Sequence, residues 1–592
     1  MFSLAKKINI HLFNSIRNYH GLTGGQIIYR KLLDNNVKDA FIYSGGAVMP
    51  IIDAFYKGSI NYFVNSHEQS CGHAATGYAK TTNQTGVAIV TSGPGLTNML
   101  TPILDANNDS TPLIVLSGQV PRKAIGTDAF QEAPAVELTK PATKWSYQIQ
   151  NIEEIPRVLD KAFFIANDKK KGAVHIDIPK DISSSYLDRE YESFIPPKDE
   201  KVNINESELK LAAKIINKSK KPVLYIGQGC NNCYQLVRLL ASKGNIPVST
   251  TIHANGVYDE RDSLSLRWCG MHGSPISNYS IQESDCIIAI GSRFDDRTTG
   301  ELEKYAPKAI EAGRNKTGGI IHVNIEESEI NKVLNTDYNF NCDASYFINK
   351  ILPYIEFNKR TEWLKIIKDR KEKYPFTYTE SDDSNLNLEK VLEVMNKKTI
   401  NRDCIFTTGV GNHQMQTYQY IYSKFPKKII SSGSLGVMGA GLPYAIGAQI
   451  ANPNKLVIDV DGDSSFNMTM NELKTISQYN LPIKIAIMNN SAQMMVTTWE
   501  RLFFNERYTA TIYDSNPSYV DLAKSFKINS IKCDNNDNLE DKIEEFINSD
   551  GPMLCEFKIK RDMCLPLVAP GKALDEMILN NENTKLSGMA PS

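Results

Sequence analysis

Short runs rich in valine and isoleucine alternate with helical stretches through most of the chain: VAIVTS (87–92), PLIVLSG (112–118), AVHIDIP (173–179), PVLYIG (222–227), CIIAIGS (286–292), GIIHVNI (319–325), KLVIDVDG (455–462) and IKIAIMNN (483–490). A strand that is apolar throughout has to be covered on both faces. Helices inserted between successive strands achieve this when the strands run parallel. Several runs end in Gly, Ser, Asp or Asn, at the edge where open parallel sheets hold their ligands. The expected fold class is therefore α/β, with several open parallel sheets in series.

At 592 residues the chain is too long for one core, and three domains is the natural reading. Two breaks divide it. Residues 183–208 are polar and contain Pro196-Pro197, which suits an extended linker, and residues 359–387 begin as a charged helix and end in a turn-rich stretch. The expected domains are 22–185, 205–356 and 385–575, with a basic extension at 1–21 and a tail at 576–592. No short-period repeat is visible, and periodicity cannot show whether the first and third segments are related folds.

A formal net charge of -1, with no basic stripe beyond the first thirty-odd residues, argues against nucleic acid and for small-molecule chemistry. Nowhere do about 18 consecutive apolar residues occur, so no membrane-spanning helix is expected. LGVMGAGLPYAIGAQIA (435–451) comes nearest, but its glycines and Pro443 suit a tightly packed helix. The ten cysteines are scattered. Cys230 and Cys233 have a CxxC spacing with no second pair to complete a zinc site, so they read as structural thiols of a reducing compartment. The N-terminal stretch carries Lys6, Lys7 and Arg17 and no acid before Asp34. It suits an organelle-targeting peptide, mitochondrial or otherwise; the alternative is a basic extension of a cytoplasmic protein.

The most informative stretch is KLVIDVDGDSSFNMTMNELKTISQYNLPIKIAIMNN (455–490). A buried strand ends in Asp461-Gly462-Asp463-Ser464, a helix begins, and a second strand ends in Asn489-Asn490. A diphosphate with a divalent cation needs a carboxylate for the metal, small residues for close backbone approach, and free N–H groups at a helix start. Asp463 supplies the first and Gly462 and Ser464 the second. The Asn490 side chain and the Ala492 carbonyl complete an Mg2+ ligand set. GD(G/S) followed a couple of dozen residues later by NN is the thiamine-diphosphate signature, although a Gly-Asp after a strand is often only a turn.

TTGVGNHQM (407–415) and SSGSLGVMGAGLPYAIGA (431–448) add two glycine-rich strand-end loops, and with them the chain resembles the large catalytic subunits of the acetolactate synthase (acetohydroxyacid synthase) family. That resemblance, which covers roughly residues 20–575, implies three thiamine-diphosphate-enzyme domains: pyrimidine-binding, central FAD-binding and diphosphate-binding. It places Val410, Gly411, Asn412, His413 and Gly436 at the diphosphate end, and makes Met438 the apolar wedge that bends the cofactor. In the first segment it matches Glu68, in His67-Glu68-Gln69, to the carboxylate that shares a proton with the aminopyrimidine; read alone, Glu68 is an ordinary solvated helix-start acid. It also puts Gly46 against the cofactor, Phe130 and Gln131 near the reacting centre, and Lys180 near the substrate entrance. In the middle segment, CGMHG (269–273) and AIGSRFDDRTTG (289–300) match the flavin-binding domain through Met271, His272, Gly273, Gly291 and Arg293, with Asp343 further on. Asn324 stands where the family usually has Asp.

The implied activity is decarboxylation of pyruvate on thiamine diphosphate, then condensation of the hydroxyethyl unit with a second pyruvate or with 2-ketobutyrate. This is the first common step toward valine, leucine and isoleucine. Arg297 and Trp499 match the second-substrate pocket. Because Glu68 and Asp463 belong to different domains, which in this family come from different subunits, a homodimer or homotetramer is implied, with a regulatory small subunit as a further partner. Met494 and Thr498 depart from the family in the lid over the substrate. Two other readings stay open: a different thiamine-diphosphate 2-keto-acid decarboxylase or carboligase, and a silent homologue serving as a scaffold.

Overall fold

A computed structural model describes residues 19–197, 203–380 and 385–579. The N-terminal basic segment lies almost wholly outside the described residues. Eighteen strands form three six-stranded sheets in which every pairing is parallel.

The first sheet contains β1 (Asp39–Ile42), β2 (Asn61–Val64), β3 (Gly86–Val90), β4 (Leu113–Gln119), β5 (Trp145–Gln148) and β6 (Ala173–Pro179), in the order β2-β1-β3-β4-β6-β5. The middle sheet contains β7 (Pro222–Ile226), β8 (Val248–Thr250), β9 (Ser265–Trp268), β10 (Cys286–Ile290), β11 (Gly319–Asn324) and β12 (Tyr338–Asn341). Its order, β12-β11-β10-β7-β8-β9, is the doubly wound arrangement of dinucleotide-binding sheets. The third sheet contains β13 (Cys404–Thr408), β14 (Ile429–Ile430), β15 (Leu456–Gly462), β16 (Lys484–Asn489), β17 (Asn529–Cys533) and β18 (Met553–Lys558). Its order, β14-β13-β15-β16-β18-β17, repeats that of the first sheet strand for strand. The first and third units thus share a topology that periodicity did not reveal.

These two units also share a core. The helix Glu68–Thr81 lies against the helix Gly441–Ala451, and one apolar cluster runs from Phe41, Ala75 and Val115 to Tyr444, Ile446, Ile487 and Leu554. Two glycines permit the approach. A Cβ on Gly447 would sit 1.8 Å from the Ala74 carbonyl oxygen, and one on Gly77 would sit 2.4 Å from that of Tyr444. Residues 441–451 of the apolar run 435–451 therefore form a helix buried between two sheets, and among the described residues no helix is long and apolar enough to cross a membrane.

The stretch read as the second break is partly structural. The helix Thr361–Lys373 packs Trp363 and Ile367 into the middle unit, and the Trp363 indole N–H donates to the Pro222 carbonyl at 3.2 Å. Near the C-terminus, Leu567–Val568 pairs with Met577–Ile578 in an antiparallel ribbon. Val568 and Leu574 join the core around Val223, Tyr225 and Phe294, so the chain returns to its middle unit after building its third. All ten cysteines are buried free thiols, and Cys230 and Cys233 occupy the turn between β7 and the helix Tyr234–Gly244.

A β-branched side chain at position 447 has no room against the Ala74 carbonyl. Gly447→Val is expected to cost about 3 kcal/mol, read as a lowered urea midpoint in far-ultraviolet circular dichroism. An unchanged midpoint would show that the two sheets do not depend on this contact.

Candidate active site at the carboxyl edge of the third sheet

In the third sheet the strand order reverses between β13 and β15, because β14 lies to one side of β13 and β15 to the other. Ligands of open α/β sheets bind beyond the carboxyl ends of the strands at such a switch. The loops leaving β13 and β15 meet there at backbone distance. A Cβ on Gly409 would fall 2.0 Å from Ser465 Oγ, and one on Gly462 would fall 2.8 Å from His413 Nδ1. Gly411, at φ 151°, leads into the helix Asn412–Tyr420, and Gly462 leads into the short helix Asp463–Phe466. Neither helix has an N-cap side-chain hydrogen bond, so two uncapped helix starts converge on one crevice, with the Ser464 N–H turned to the Asp463 carboxylate. Unsatisfied donors at a helix start suit a phosphate.

Asp463 is 1% exposed, and its Oδ2 accepts a hydrogen bond from Asn516 Nδ2 at 2.7 Å. Burial pushes its carboxyl up to about 6, against the opposing pull of the Asn516 hydrogen bond and the nearby His413. The Asn516 amide also reaches Asn489 Oδ1 at 3.1 Å, which ties the β15 end to the β16 end. Ser464 Oγ donates to the Ala492 carbonyl at 3.3 Å, leaving that oxygen a second lone pair. Asn490 Oδ1 accepts from the Ala492 N–H at 3.2 Å, and the Asn490 carbonyl accepts from Arg561 Nε at 2.8 Å. A cleft of about 530 Å³ opens beside this loop, lined by Asn490, Ser491, Lys558, Arg561 and Asp562 among others.

Among the described residues, no group of three His, Cys, Asp or Glu side chains could hold a metal alone. The oxygens gathered here are one carboxylate with amide and backbone carbonyls. Such a set fits Mg2+ when phosphates complete the coordination. His413 Nε2 lies 3.2 Å from Asp461 Oδ1, off the line a hydrogen bond requires, and it is buried without another partner. A donor so placed can serve an anion at the Asn412 helix start.

Met438 is half-buried between two left-handed glycines, Gly436 (φ 74°) and Gly439 (φ 79°), and the Gly439 N–H donates to Ser465 Oγ at 2.8 Å. Val410 is half-buried at the end of β13. Trp499 stacks on Phe503 in the helix Met494–Phe503, which follows the Asn490 loop. Of the two lid departures, Met494 opens this helix, and Thr498 is buried with its hydroxyl donating to the Met494 carbonyl at 2.8 Å. Glu500 holds the returning segment through the Thr509 N–H and the Thr511 hydroxyl, at 2.7 and 2.6 Å.

The residues from the first unit do not join this cluster. Glu68 opens the helix Glu68–Thr81, behind a His67 cap, and its Oε2 accepts from Asn98 Nδ2 at 3.0 Å. Just before it, Asn65 and the Ser66 N–H bind Glu472 at 3.0 and 2.9 Å. No hydrogen bond or ion pair joins Glu68 to Asp463 or Asn490 among the described residues. Phe130 is 88% exposed, Gln131 stands beside it at φ 62°, Gly46 has open space where a Cβ would be, and Lys180 opens the helix after β6.

In the middle sheet the switch falls between β7 and β10. There Gly229 packs on Gly291 (φ 61°), and a Cβ on Gly227 would lie 2.2 Å from the Gly291 carbonyl oxygen. Thr250 Oγ1, at the end of β8, and Ser292 Oγ, just past β10, are buried at strand ends without hydrogen-bond partners among the described residues. This cradle fits a dinucleotide. Arg293 donates to the Asn108 carbonyl at 3.1 Å and to Ser434 Oγ at 2.5 Å, so it bridges all three units. Met271, His272 and Gly273 follow β9, and burial holds His272 down to about 4. Arg297 is exposed, with Nη1 3.4 Å from Met271 Sδ. Asp343 caps the helix Ala344–Ile351 through the Ser345 and Tyr346 N–H groups. Asn324 donates to the Ser292 carbonyl at 2.9 Å. Asn516 and Arg561 were not found from sequence; neither lies in a motif, and only folding brings them to the Asp463 and Asn490 loops.

Comparison with known proteins gives matches to three family models: the N-terminal thiamine pyrophosphate binding domain of thiamine pyrophosphate enzymes over residues 22–138, their central domain over 209–351, and their C-terminal binding domain over 409–557. The mitochondrial acetolactate synthase catalytic subunit of Saccharomyces cerevisiae is 40% identical over 579 residues, covering 95% of this chain and 84% of the relative. The mitochondrial acetolactate synthase of Schizosaccharomyces pombe is 40% identical over 584 residues, covering 95% and 87%. The large subunit of acetolactate synthase isozyme 2 of Escherichia coli is 36% identical over 561 residues, covering 94% and 99%.

A carboxyl with a raised pKa makes the folded chain bind protons that the unfolded chain releases. Asp463 therefore lowers the stability of the cofactor-free protein as pH rises from about 4 to about 6, and the loss persists above. Asp463→Asn is expected to stabilise the cofactor-free protein at pH 7.5 by about 2 kcal/mol, with the gain shrinking toward pH 4, while Mg2+-dependent cofactor retention is lost. Urea titrations at both pH values check the first outcome and equilibrium dialysis the second.

Proposed function

The chain belongs to the thiamine pyrophosphate enzymes, and within them to the acetolactate synthases, and on that premise we propose how its residues divide the work. It decarboxylates pyruvate and joins the two-carbon unit to a second 2-keto acid, giving 2-acetolactate from pyruvate or 2-aceto-2-hydroxybutyrate from 2-ketobutyrate. The observation that carries this reading is the pair of uncapped helix starts meeting around one buried carboxylate at the third sheet's switch.

Thiamine diphosphate, when bound, supplies the electron sink that decarboxylation requires. Asp463, the Asn490 side chain and the Ala492 carbonyl would hold Mg2+, and Gly462 and Ser464 would leave room for the phosphates. Val410, Gly411, Asn412 and His413 would receive the diphosphate with backbone N–H groups and an imidazole. Met438 and Gly436 form the apolar wedge and its turn. Glu68 would sit against the aminopyrimidine of the cofactor and hold a proton there. Gly46, Phe130, Gln131 and Lys180 line the approach from the first unit. Arg297 and Trp499 shape the pocket for the second keto acid, the Arg supplying a carboxylate contact and the Trp an apolar wall. Gly291, Arg293, Met271, His272, Gly273 and Asp343 would hold FAD at the middle switch; the reaction has no net oxidation, so its role there would be structural.

Among the described residues no hydrogen bond or ion pair joins Glu68 to the Asp463 cluster of its own chain, and large apolar side chains stand exposed on both units, Met49 at 59%, Phe130 at 88% and Met468 at 58%. A second copy that covers these and offers its Glu68 to this third sheet accounts for both observations, so the functional unit is at least a homodimer. Relatives are named as catalytic or large subunits, which fits a separate regulatory subunit. Three fungal relatives are named mitochondrial, which fits an organelle matrix.

Purified protein supplied with thiamine diphosphate, Mg2+, FAD and pyruvate is expected to yield acetolactate. Acetaldehyde in its place would sink this reading in favour of a simple decarboxylase, and inactivity with cofactor bound would favour a scaffold. Glu68→Gln is expected to lower kcat by about 10²- to 10³-fold while thiamine diphosphate is still retained, measured by steady-state kinetics and cofactor stoichiometry.

A further inference from the structure

Two carboxylates of the first unit grip the loop of the third unit that carries Met438. Asp105 lies in the helix Leu100–Asn108 and Asp109 caps its end, one turn later. Asp109 accepts from the Gly433 N–H at 3.1 Å and from the Ser434 N–H at 2.9 Å. Asp105, which is fully buried, accepts at Oδ1 from Ser432 Oγ at 2.6 Å. The same Ser432 oxygen accepts from the Gly436 N–H at 3.1 Å and from the Val437 N–H at 3.0 Å.

A serine hydroxyl has one proton and two lone pairs, and here all three are used. Its proton goes to Asp105, so both lone pairs turn toward the loop. Without that acceptor the hydroxyl is free to rotate its proton into the loop N–H groups, and the turn at Gly436 (φ 74°) loses its inner partners. On its other side, Asp105 Oδ2 accepts from the Tyr444 hydroxyl and lies 3.6 Å from His73 Nδ1, in the helix that begins with Glu68. The Asp105 carboxylate is thus held by the Tyr444 hydroxyl, beside His73 and between the two helices that join the first and third sheets, and it passes that geometry to residues 432–437.

We propose that Asp105, acting through Ser432, is a positioning residue for the reaction: it sets the Gly436–Val437 turn and with it the placement of Met438 against the cofactor. This rests on the role given to Met438 above. Neither Asp105 nor Ser432 meets substrate; both act on the wedge from behind. The geometry required at the wedge is thereby built by the first unit, although Met438 belongs to the third.

Amide hydrogen exchange of Gly436 and Val437 in the cofactor-free protein tests the relay, with β3 as the internal reference for an intact fold. Ser432→Ala is expected to speed exchange at these amides by tenfold or more and to lower kcat about tenfold, with the pyruvate KM within twofold of the unaltered protein. Ser432→Thr, which keeps the hydroxyl, is expected to restore most of both. Asp105→Asn should speed the same amides by a smaller factor; if that variant does not fold, Ser432→Ala carries the test alone. Unchanged exchange at Gly436 and Val437 in Ser432→Ala overturns the proposal, and so does faster exchange with an unchanged kcat. Failure of the unaltered protein to make acetolactate would fault the reaction assigned above, whereas the exchange rates judge the relay whatever the product.

Discussion

Two glycines on facing helices hold the first and third sheets at the distance on which the remaining geometry depends. Gly77 and Gly447 let the helices Glu68–Thr81 and Gly441–Ala451 approach until backbone meets backbone, and the apolar cores of two separately wound sheets become one. Packed interiors deform little, so whatever sits at the ends of these helices inherits their spacing. Glu68 is at one end of the first helix, and the Gly436–Gly439 turn leads into the second. Tyr444, on the second helix, donates to Asp105 beside the turn. The contact is structural, yet it fixes the distances between groups that belong to different units.

The buried acids fall into two kinds. Burial alone would push Asp109 up, but Lys80 at 2.6 Å and His253 at 3.2 Å outweigh it and hold the carboxyl well below the usual range. That acid carries its own counter-charge and serves as a fixed clamp. Asp463 has an amide donor and a neighbouring imidazole but no such cation, and burial wins. An acid left short of positive charge at a strand end is suited to receive a cation.

How much of this was legible in the sequence follows from burial. The Val/Ile runs mark β3, β4, β6, β7, β10, β11, β15 and β16, which are covered on both faces and so read as continuous apolar stretches. Edge strands such as β2, β5 and β17 are half-exposed, carry mixed residues (NYFV, WSYQ, NSIKC) and leave no such signal. Within the site, Asp463 and Asn490 follow directly from strand ends in the sequence. Asn516 and Arg561 do not, because they stand 53 and 71 residues from the groups they bind. The bond from Ser432 to Asp105 spans 327 residues and depends on the docking of two sheets. Glu68 is intermediate: its helix start is visible in the sequence, whereas its hydrogen bond to Asn98, 30 residues on, is not.

The ribbon 567–578 bears on the order in which the molecule can be assembled. The middle sheet is made from residues 222–341, yet Val568 and Leu574 belong to its core. As the chain emerges during synthesis, the middle unit therefore has an open flank until the whole of the third unit has followed it out. The first and third units contribute to a common interior and can meet before that flank closes. The middle unit is then the last of the three to be sealed, and a small molecule entering from its side would find the way in open longest there.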